Sequence, residues 1–312
     1  MNSLPKVNFI ETREYRRFTE FCDACRQYRY IGLCYGPPGV GKTLSARRYS
    51  QWDTVEAYES YSASAPLLPE VLGSDAIFYT PNVLNGPGLI FRDIDRIRRH
   101  LLNIALGGIY REEETVRAEV RRRHEEYWDN YVVGKKWLAL PPGTTMPEPE
   151  PSLYEIGKEY EAKRDAALDP TRLILVDEAD RLKVGSLEQM RAIFDQGGIG
   201  LVLIGMPGIE KMLSRYPQLY SRVGFVHEYR PLSTEEVRHL LKSWLPPEIT
   251  LPATGLTDEE ALAAIIRITG GNFRLLHRLL SQIARLMEIN GMKTVTRPVV
   301  EAARETLVIG HT

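Results

Sequence analysis

Eight consecutive residues, Gly36-Pro37-Pro38-Gly39-Val40-Gly41-Lys42-Thr43, fit the pattern G-x-x-x-x-G-K-[ST]. That pattern suits one kind of chemistry. Glycines let successive backbone N–H groups curl around a phosphate, a lysine sets a point charge on its outer oxygens, and a threonine hydroxyl offers a ligand to Mg²⁺. Gly36 to Thr43, with Leu44 beside them, are therefore expected to cradle the phosphates of ATP, Lys42 as the charge and Thr43 at the metal. The flanks agree. Tyr30 to Tyr35 reads as a buried strand leading in, and Leu44 to Tyr49 as a helix leading out, its N-terminal dipole facing the anion.

A second stretch, Leu173-Ile174-Leu175-Val176-Asp177-Glu178-Ala179-Asp180, puts two acids directly after four aliphatic residues. Such a run reads as a strand buried on both faces of a parallel sheet, and ligands of open α/β sheets bind at the carboxyl ends of the strands. Asp177 is expected to hold Mg²⁺, and Glu178 to orient and polarise the attacking water, two carboxylates with different tasks.

The elements that must position these groups make a two-part chain. With 312 residues there is room for a sizeable core and about two domains. The formal net charge of -1 carries no global basic field, so any DNA contact must come from a local patch. Cys22, Cys25 and Cys34 make no disulfide framework, and the lone C-x-x-C has no second pair for zinc; buried or half-buried thiols in a reducing cytosol fit better. No apolar run approaches membrane-spanning length and no signal peptide is visible, so a cytoplasmic protein is expected.

Residues 1–28 carry a docking helix with Tyr15, Phe18, Phe21, Cys22 and Cys25 on one face. Residues 29–230 form an α/β domain with a parallel sheet. A helix over Leu89 to Ala105 carries Arg92, Arg96, Arg98 and Arg99, a basic patch diluted by Asp93 and Asp95. Residues 107–165 read as a charged helical insertion with Arg121, Arg122 and Arg123, then a Pro-rich linker at 140–151. From Pro231 the pattern is helical only, with capping boxes at Ser233-x-x-Glu236 and Thr257-x-x-Glu260, giving a small all-helical lid domain over 231–312.

The order of these parts resembles the AAA+ ATPases: phosphate loop, D-E-A-D as Walker B, the strand Gly200 to Gly205 at the sensor-1 position, Ser221-Arg222 near the domain end, and a lid with Gly271-Asn272-Phe273-Arg274. The stretches around Asp177 to Lys183 and Gly200 to Gly205 are most similar to the TnsC/TniB/MuB group of transposition regulators. That resemblance implies an ATP-dependent, largely sequence-nonspecific binder of double-stranded DNA. It would assemble as a homo-oligomer, a ring or helical filament, and engage a transposase and a target-selection protein. It also implies residue roles. Arg222 would be the arginine finger acting on a neighbour's nucleotide, with Arg215 as rival, and Arg274 would be the lid sensor of the γ-phosphate. Met206 stands at the sensor-1 position without a hydrogen-bonding side chain, which implies slow, regulatory hydrolysis. The loop Asn82 to Gly88 lacks Lys and Arg, so DNA contact falls to Asn85, Arg92, Arg96, Arg99 and Arg121. A helicase loader or replication initiator shares every ATPase motif, and a nucleotide-gated protein-interaction switch without DNA binding uses the same cleft; both stay open at this stage.

Overall fold

The computed structural model describes residues 9–58, 69–134, 151–244 and 256–307. The chain divides into two compact units, one formed by Met1–Tyr49, Phe78–Ile90 and Arg172–Thr312, the other by Ser50–Ile77 and Phe91–Thr171.

Chain order runs α1 (Arg13–Tyr28), β1 (Ile31–Tyr35), α2 (Lys42–Tyr49), α3 (Trp52–Ala57), α4 (Pro69–Leu72), β2 (Ala76–Tyr79), α5 (Pro87–Gly134) and α6 (Leu153–Asp165). It continues through β3 (Leu173–Val176), a single 3-10 turn (Ala179–Arg181), α7 (Val184–Asp195), β4 (Gly200–Gly205), α8 (Ile209–Leu213), α9 (Pro217–Tyr220) and β5 (Val223–Glu228). Four helices close it: α10 (Thr234–Trp244), α11 (Leu256–Thr269), α12 (Phe273–Asn290) and α13 (Arg297–Glu305).

The sheet order is β2-β3-β4-β1-β5, and the β3–β4, β4–β1 and β1–β5 ladders are parallel. β1, β3 and β4 are buried along nearly their whole length because both of their faces are covered, and β3 and β4 are correspondingly aliphatic. β5 lies at the edge and alternates in exposure. With β3, β4 and β1 adjacent and parallel, their carboxyl ends place the loop after β1 beside the acids after β3, as open α/β sheets require.

α1 begins at Thr12, whose side chain accepts the Tyr15 N–H, and lays Phe18, Phe21, Cys22 and Cys25 on the sheet. The approach is close: a Cβ at Gly32 would stand 2.3 Å from Cys25 Sγ, and one at Gly200 2.4 Å from the Cys25 carbonyl oxygen. All three cysteines are buried and unpaired, and burial pushes the Cys25 thiol up to about 12.

The periodicity missed one buried residue of α1, Glu14, which pairs with Arg17 and lies 3.8 Å from His227 Nε2. Among the described residues that nitrogen has no hydrogen-bond partner. Burial lowers the His227 pKa below its usual value; Glu14 and Glu228 oppose the shift, Arg17 and Arg230 add to it. A histidine kept neutral by the fold takes up its proton more readily in the unfolded chain. Stability is therefore complete above about 6.5 and lost as pH falls through the folded value. We expect the melting temperature to drop between pH 7.5 and pH 5.5, with a shallower drop in His227→Gln. Parallel melting curves for the two proteins would exclude His227 as the cause.

The lid helices share one core, with Val237, Leu240, Leu241, Ile265, Leu276, Leu279, Ile283 and Val300 all buried. Ile10 packs on the same core, tying the start of the chain to it. The capping box at Ser233 forms: the Ser233 N–H donates to Glu236 Oε2 at 2.9 Å and the Glu236 N–H to Ser233 Oγ at 3.2 Å. The Thr257 side chain lies outside the described residues, as do 140–150 of the expected linker.

The helix expected over Leu89 to Ala105 is longer than its sequence pattern suggested. α5 is one helix of 48 residues that passes through Gly107 and Gly108 in helical geometry. Two interior glycines cost roughly 1 kcal/mol each. Beyond them the helix is laced by Arg117–Glu113, Arg122–Glu119, Arg122–Glu126 and Arg123–Glu119 pairs at helical spacing. It also gains a partner: Val120 packs with Ile156 and Tyr160 of α6, the Tyr160 hydroxyl donates to Glu112 at 2.9 Å, and Arg164 pairs with Glu113.

Candidate functional site

A cleft of about 470 Å³ lies where the loop after β1, the acids after β3, the end of β4 and the start of α12 meet. From the α/β side Pro38, Gly39, Gly41, Lys42, Thr43 and Leu44 line it together with Asp177, Glu178, Asp180 and Arg181. The lid contributes Phe273, Arg274, His277 and Arg278.

The loop has the backbone its sequence demands, with φ of 81° at Gly39 and 111° at Gly41, values that L side chains seldom adopt. Gly36 is required for a different reason: a Cβ there would stand 2.2 Å from the Tyr229 carbonyl oxygen. Val40 is buried, and Leu44 is half exposed at the cleft wall. Lys42 is 9% exposed, and its ammonium donates to the carbonyls of Gly36 (2.6 Å) and Pro37 (2.8 Å). Burial lowers its pKa while Asp177 and Asp180 pull it back up. The lysine is thus a desolvated cation held over the loop, ready to exchange two carbonyls for phosphate oxygens.

The sequence pairs Thr43 and Asp177 as a metal site, and the structure brings them together across 134 positions: Thr43 Oγ1 donates to Asp177 Oδ2 at 2.6 Å. Asp177 is buried, its Oδ1 accepts the Glu178 N–H at 2.9 Å, and its own N–H donates to the Tyr79 carbonyl at 2.8 Å. A buried carboxylate beside a hydroxyl at the wall of this cleft is a donor set of hard oxygens, which fits Mg²⁺.

Glu178 sits at φ 49°, ψ 40°, a left-handed conformation costing of order 1–3 kcal/mol in a non-glycine residue. Its carboxylate lines the cleft and pairs with Arg181. Asp180, which the motif names without a task, accepts the Met206 N–H at 2.9 Å and so fastens the end of β3 to the end of β4. Met206, 38% exposed, lines the cleft, and its thioether has no hydrogen to donate there.

Tyr229 was not singled out in the sequence. Its hydroxyl pairs with Ser45 Oγ at 2.7 Å, its N–H donates to the Tyr35 carbonyl at 2.7 Å, and burial pushes its pKa up to about 12. It supports the loop from below.

Arg274 is exposed and reaches the cleft from α12. Arg222 lies elsewhere. It precedes β5 at the end of the sheet where Ile31 pairs with Val223, whereas the phosphate loop leaves the opposite end of β1. Its guanidinium is bidentate to Asp195, at 2.6 and 3.0 Å, and also donates to the Gln218 carbonyl. Arg215 is exposed after α8.

The expected DNA contacts separate in a similar way. Asn85 is 7% exposed: its amide donates to the carbonyls of Asn82 (2.9 Å) and Arg181 (3.0 Å) and accepts from Ser186 Oγ (2.8 Å). With donors and acceptor used inside the protein, Asn85 is a loop clamp rather than a phosphate contact, a role its Gly-rich surroundings do not advertise. Arg92, Arg96 and Arg99 are exposed on α5, Arg96 facing Asp93 at 4.0 Å and Arg99 bound to Asp95 at 2.7 Å. Arg121 is half exposed, 3.6 Å from Glu114.

Comparison with known proteins agrees with this geometry. The AAA domain family model matches residues 25–213. A Staphylococcus aureus protein described as a potential ATP-binding protein is 40% identical over 308 residues, 97% of both chains. The Mu-like prophage FluMu DNA transposition protein B of Haemophilus influenzae is 34% identical over 114 residues, 33% of this chain and 36% of that one. Among solved structures, the Thermotoga maritima RuvB Holliday junction branch migration motor superposes with a TM-score of 0.51 at 15% identity, covering 96% of this chain and 70% of its own. The Aeropyrum pernix ORC1 protein in complex with DNA gives 0.51 at 19% identity, covering 97% and 67%. At such identities the structures speak for the fold, a parallel sheet with a helical domain. No described helix is long and apolar enough to cross a membrane. With its family model matching more than half of the chain, β1 through β4 included, and both acidic and glycine-rich motifs meeting in one cleft, this chain belongs to the AAA domain family of AAA+ ATPases.

Proposed function

We propose that this protein is an ATP-dependent regulator of DNA transposition. On this reading it assembles on duplex DNA in its ATP-bound form, engages a transposase and a target-selection protein, and leaves the DNA when ATP is hydrolysed. The observation that carries the reading is a cleft in which the glycine-rich loop, Lys42, Thr43 and Asp177 meet, in a chain whose partial relative is a prophage DNA transposition protein.

The chemistry follows from the residues. The N–H groups of the loop and the Lys42 ammonium hold the β- and γ-phosphates. Thr43 and Asp177 would hold Mg²⁺, which neutralises charge on the transferred phosphoryl group. Glu178 accepts the proton of the attacking water once its carboxylate is turned from Arg181. Arg274 answers to the γ-phosphate from the lid. Arg222 acts on the nucleotide of the next subunit, so the interface is heterologous and the assembly either closes as a ring or continues as a filament. An apolar Met206 where a donor would help makes a slow ATPase, suited to a switch that persists on DNA.

DNA contact falls to Arg92, Arg96 and Arg99 on α5, with Arg121 further along, the carboxylate partners of Arg96, Arg99 and Arg121 exchanged for phosphates. Such binding is largely blind to sequence and steeply salt dependent. The protein with ATP is expected to sediment with plasmid DNA and to be released by salt. In Arg96→Ala/Arg99→Ala the slope of log K against log salt should fall by about 2, since each lost phosphate contact removes about 0.9. A protein that stays monomeric with ATP and duplex DNA at low salt would sink the proposal. An unchanged slope in the double variant would move the DNA surface off α5.

A further inference from the structure

Two carbonyl groups at the crest of the phosphate loop are held by the lid. Asn272 Nδ2 donates to the Pro38 carbonyl at 2.7 Å, and the Arg274 N–H donates to the Gly39 carbonyl at 2.9 Å. The same Asn272 turns its Oδ1 to the Leu275 N–H at 3.2 Å and so caps α12. The fit has no slack, for a Cβ at Gly39 would stand 2.6 Å from Asn272 Oδ1 and 2.9 Å from Arg274 Cβ. Asn272 is itself anchored. The preceding Gly271 carbonyl accepts the Leu232 N–H at 2.9 Å, and a Cβ at Gly271 would stand 2.1 Å from the Leu232 carbonyl oxygen.

Peptide geometry gives these two hydrogen bonds a consequence. In a planar trans peptide the C=O and N–H point in opposite directions. The Pro38 carbonyl shares its plane with the Gly39 N–H, and the Gly39 carbonyl with the Val40 N–H. Holding both carbonyls from the lid therefore turns both N–H groups the other way, into the loop. At Gly39, with φ of 81°, the backbone has no side chain to restrain it, so an external restraint has the most to do there.

We propose that Asn272 is a positioning residue for nucleotide binding: it orients the phosphate cradle from the lid, so that lid docking and phosphate affinity rise and fall together. This is a second link between lid and nucleotide, separate from the Arg274 side chain, because it acts on loop amides and touches no phosphate. The inference rests on the cleft being a nucleotide site. By linkage, a nucleotide that favours the oriented loop favours the docked lid to the same degree.

The test uses the full chain with Asn272→Ser, which keeps a capping oxygen but is too short to reach Pro38, and Asn272→Ala, which loses the cap as well. ADP and ATP dissociation constants, the KM and kcat of hydrolysis, and the melting temperature without nucleotide are measured for each. In Asn272→Ser the dissociation constants and KM should rise about tenfold, the worth of one hydrogen bond. The kcat at saturating ATP should stay within about twofold, because the cradle once filled is the same. Asn272→Ala should add a fall in melting temperature to the same loss of affinity. Wild-type affinity in Asn272→Ser overturns the proposal. So does a loss confined to melting temperature or to kcat, which would make the residue a cap alone. If the unaltered protein binds neither ADP nor ATP, the nucleotide reading fails first and the proposal with it.

Discussion

Glu178→Gln is expected to lower ATP turnover by about 10²–10⁴-fold, the usual worth of a positioned general base, with ATP affinity changed only a few-fold. The two effects separate because the site divides its acids. Asp177 is buried and tied to Thr43, so the metal donors stay in place when Glu178 changes. Glutamine keeps the size of the side chain and its seat at the left-handed backbone position but takes no proton from water. Its pair with Arg181 is weakened as well, and Arg181 already lines the cleft, so its charge remains near the phosphates. On the proposed reading the variant also stays on DNA, since assembly needs bound ATP and release needs hydrolysis. Phosphate release and sedimentation with plasmid DNA, run side by side, check both halves. Turnover at the unaltered rate would remove Glu178 as the base and leave Asp180 as the other cleft carboxylate besides Asp177, although Asp180 is engaged with the Met206 N–H.

Arg222→Ala is expected to lose about 10³-fold in turnover, the lower end of what an arginine finger supplies, while each subunit still binds ATP. Val223 is level with Ile31 at the start of β1, and the phosphate loop leaves the far end of that five-residue strand, about 13–16 Å away at strand rise. On the proposed reading Arg222 therefore serves a neighbour's site rather than its own. In the single chain its charge is satisfied by Asp195 and the Gln218 carbonyl, so assembly must exchange that pair for a phosphate. A mixing experiment isolates the effect. Arg222→Ala has an intact loop and Lys42→Ala an intact finger; neither hydrolyses ATP alone, and together they should recover part of the activity. Mixtures as inactive as their components would deny a finger acting between subunits.

The motifs were legible because their chemistry is local. The phosphate loop needs glycine at Gly39 and Gly41 for the backbone and a helix opening at Lys42, all within a few residues, so a short pattern carries the whole device. The strand before Asp177 announces its burial by four aliphatic residues in succession. Serine and glutamate three positions apart announced the box at Ser233. In each case the residue and its reason are neighbours in the chain.

What lay beyond the sequence has partners far away in it. Asn85 looked available in a glycine-rich loop, yet it is spent on Arg181 and Ser186, about a hundred positions on. Tyr229 under the loop, and Glu14 facing His227, are seen only when β5 is laid beside β1 and α1 over both. The expected break near Ala105 did not occur, because α6 and a ladder of ion pairs hold α5 beyond its two glycines. The same pairing qualifies the basic patch: charge composition counts arginines, whereas only the helix shows that Arg96 and Arg99 each face an aspartate one turn away. The sequence by itself determined that a glycine-rich phosphate-loop pattern opens a helix and that two acids, Asp177 and Glu178, follow a buried strand, since short-range backbone and burial rules suffice for each. Tertiary structure alone decided that Lys42 is desolvated over its own loop, that Arg222 lies beyond the opposite end of β1 from its own cleft, and that Asn272 holds the crest of Gly36–Thr43. Those facts depend on which distant elements touch, and hydrogen bonds across the fold follow no spacing along the chain.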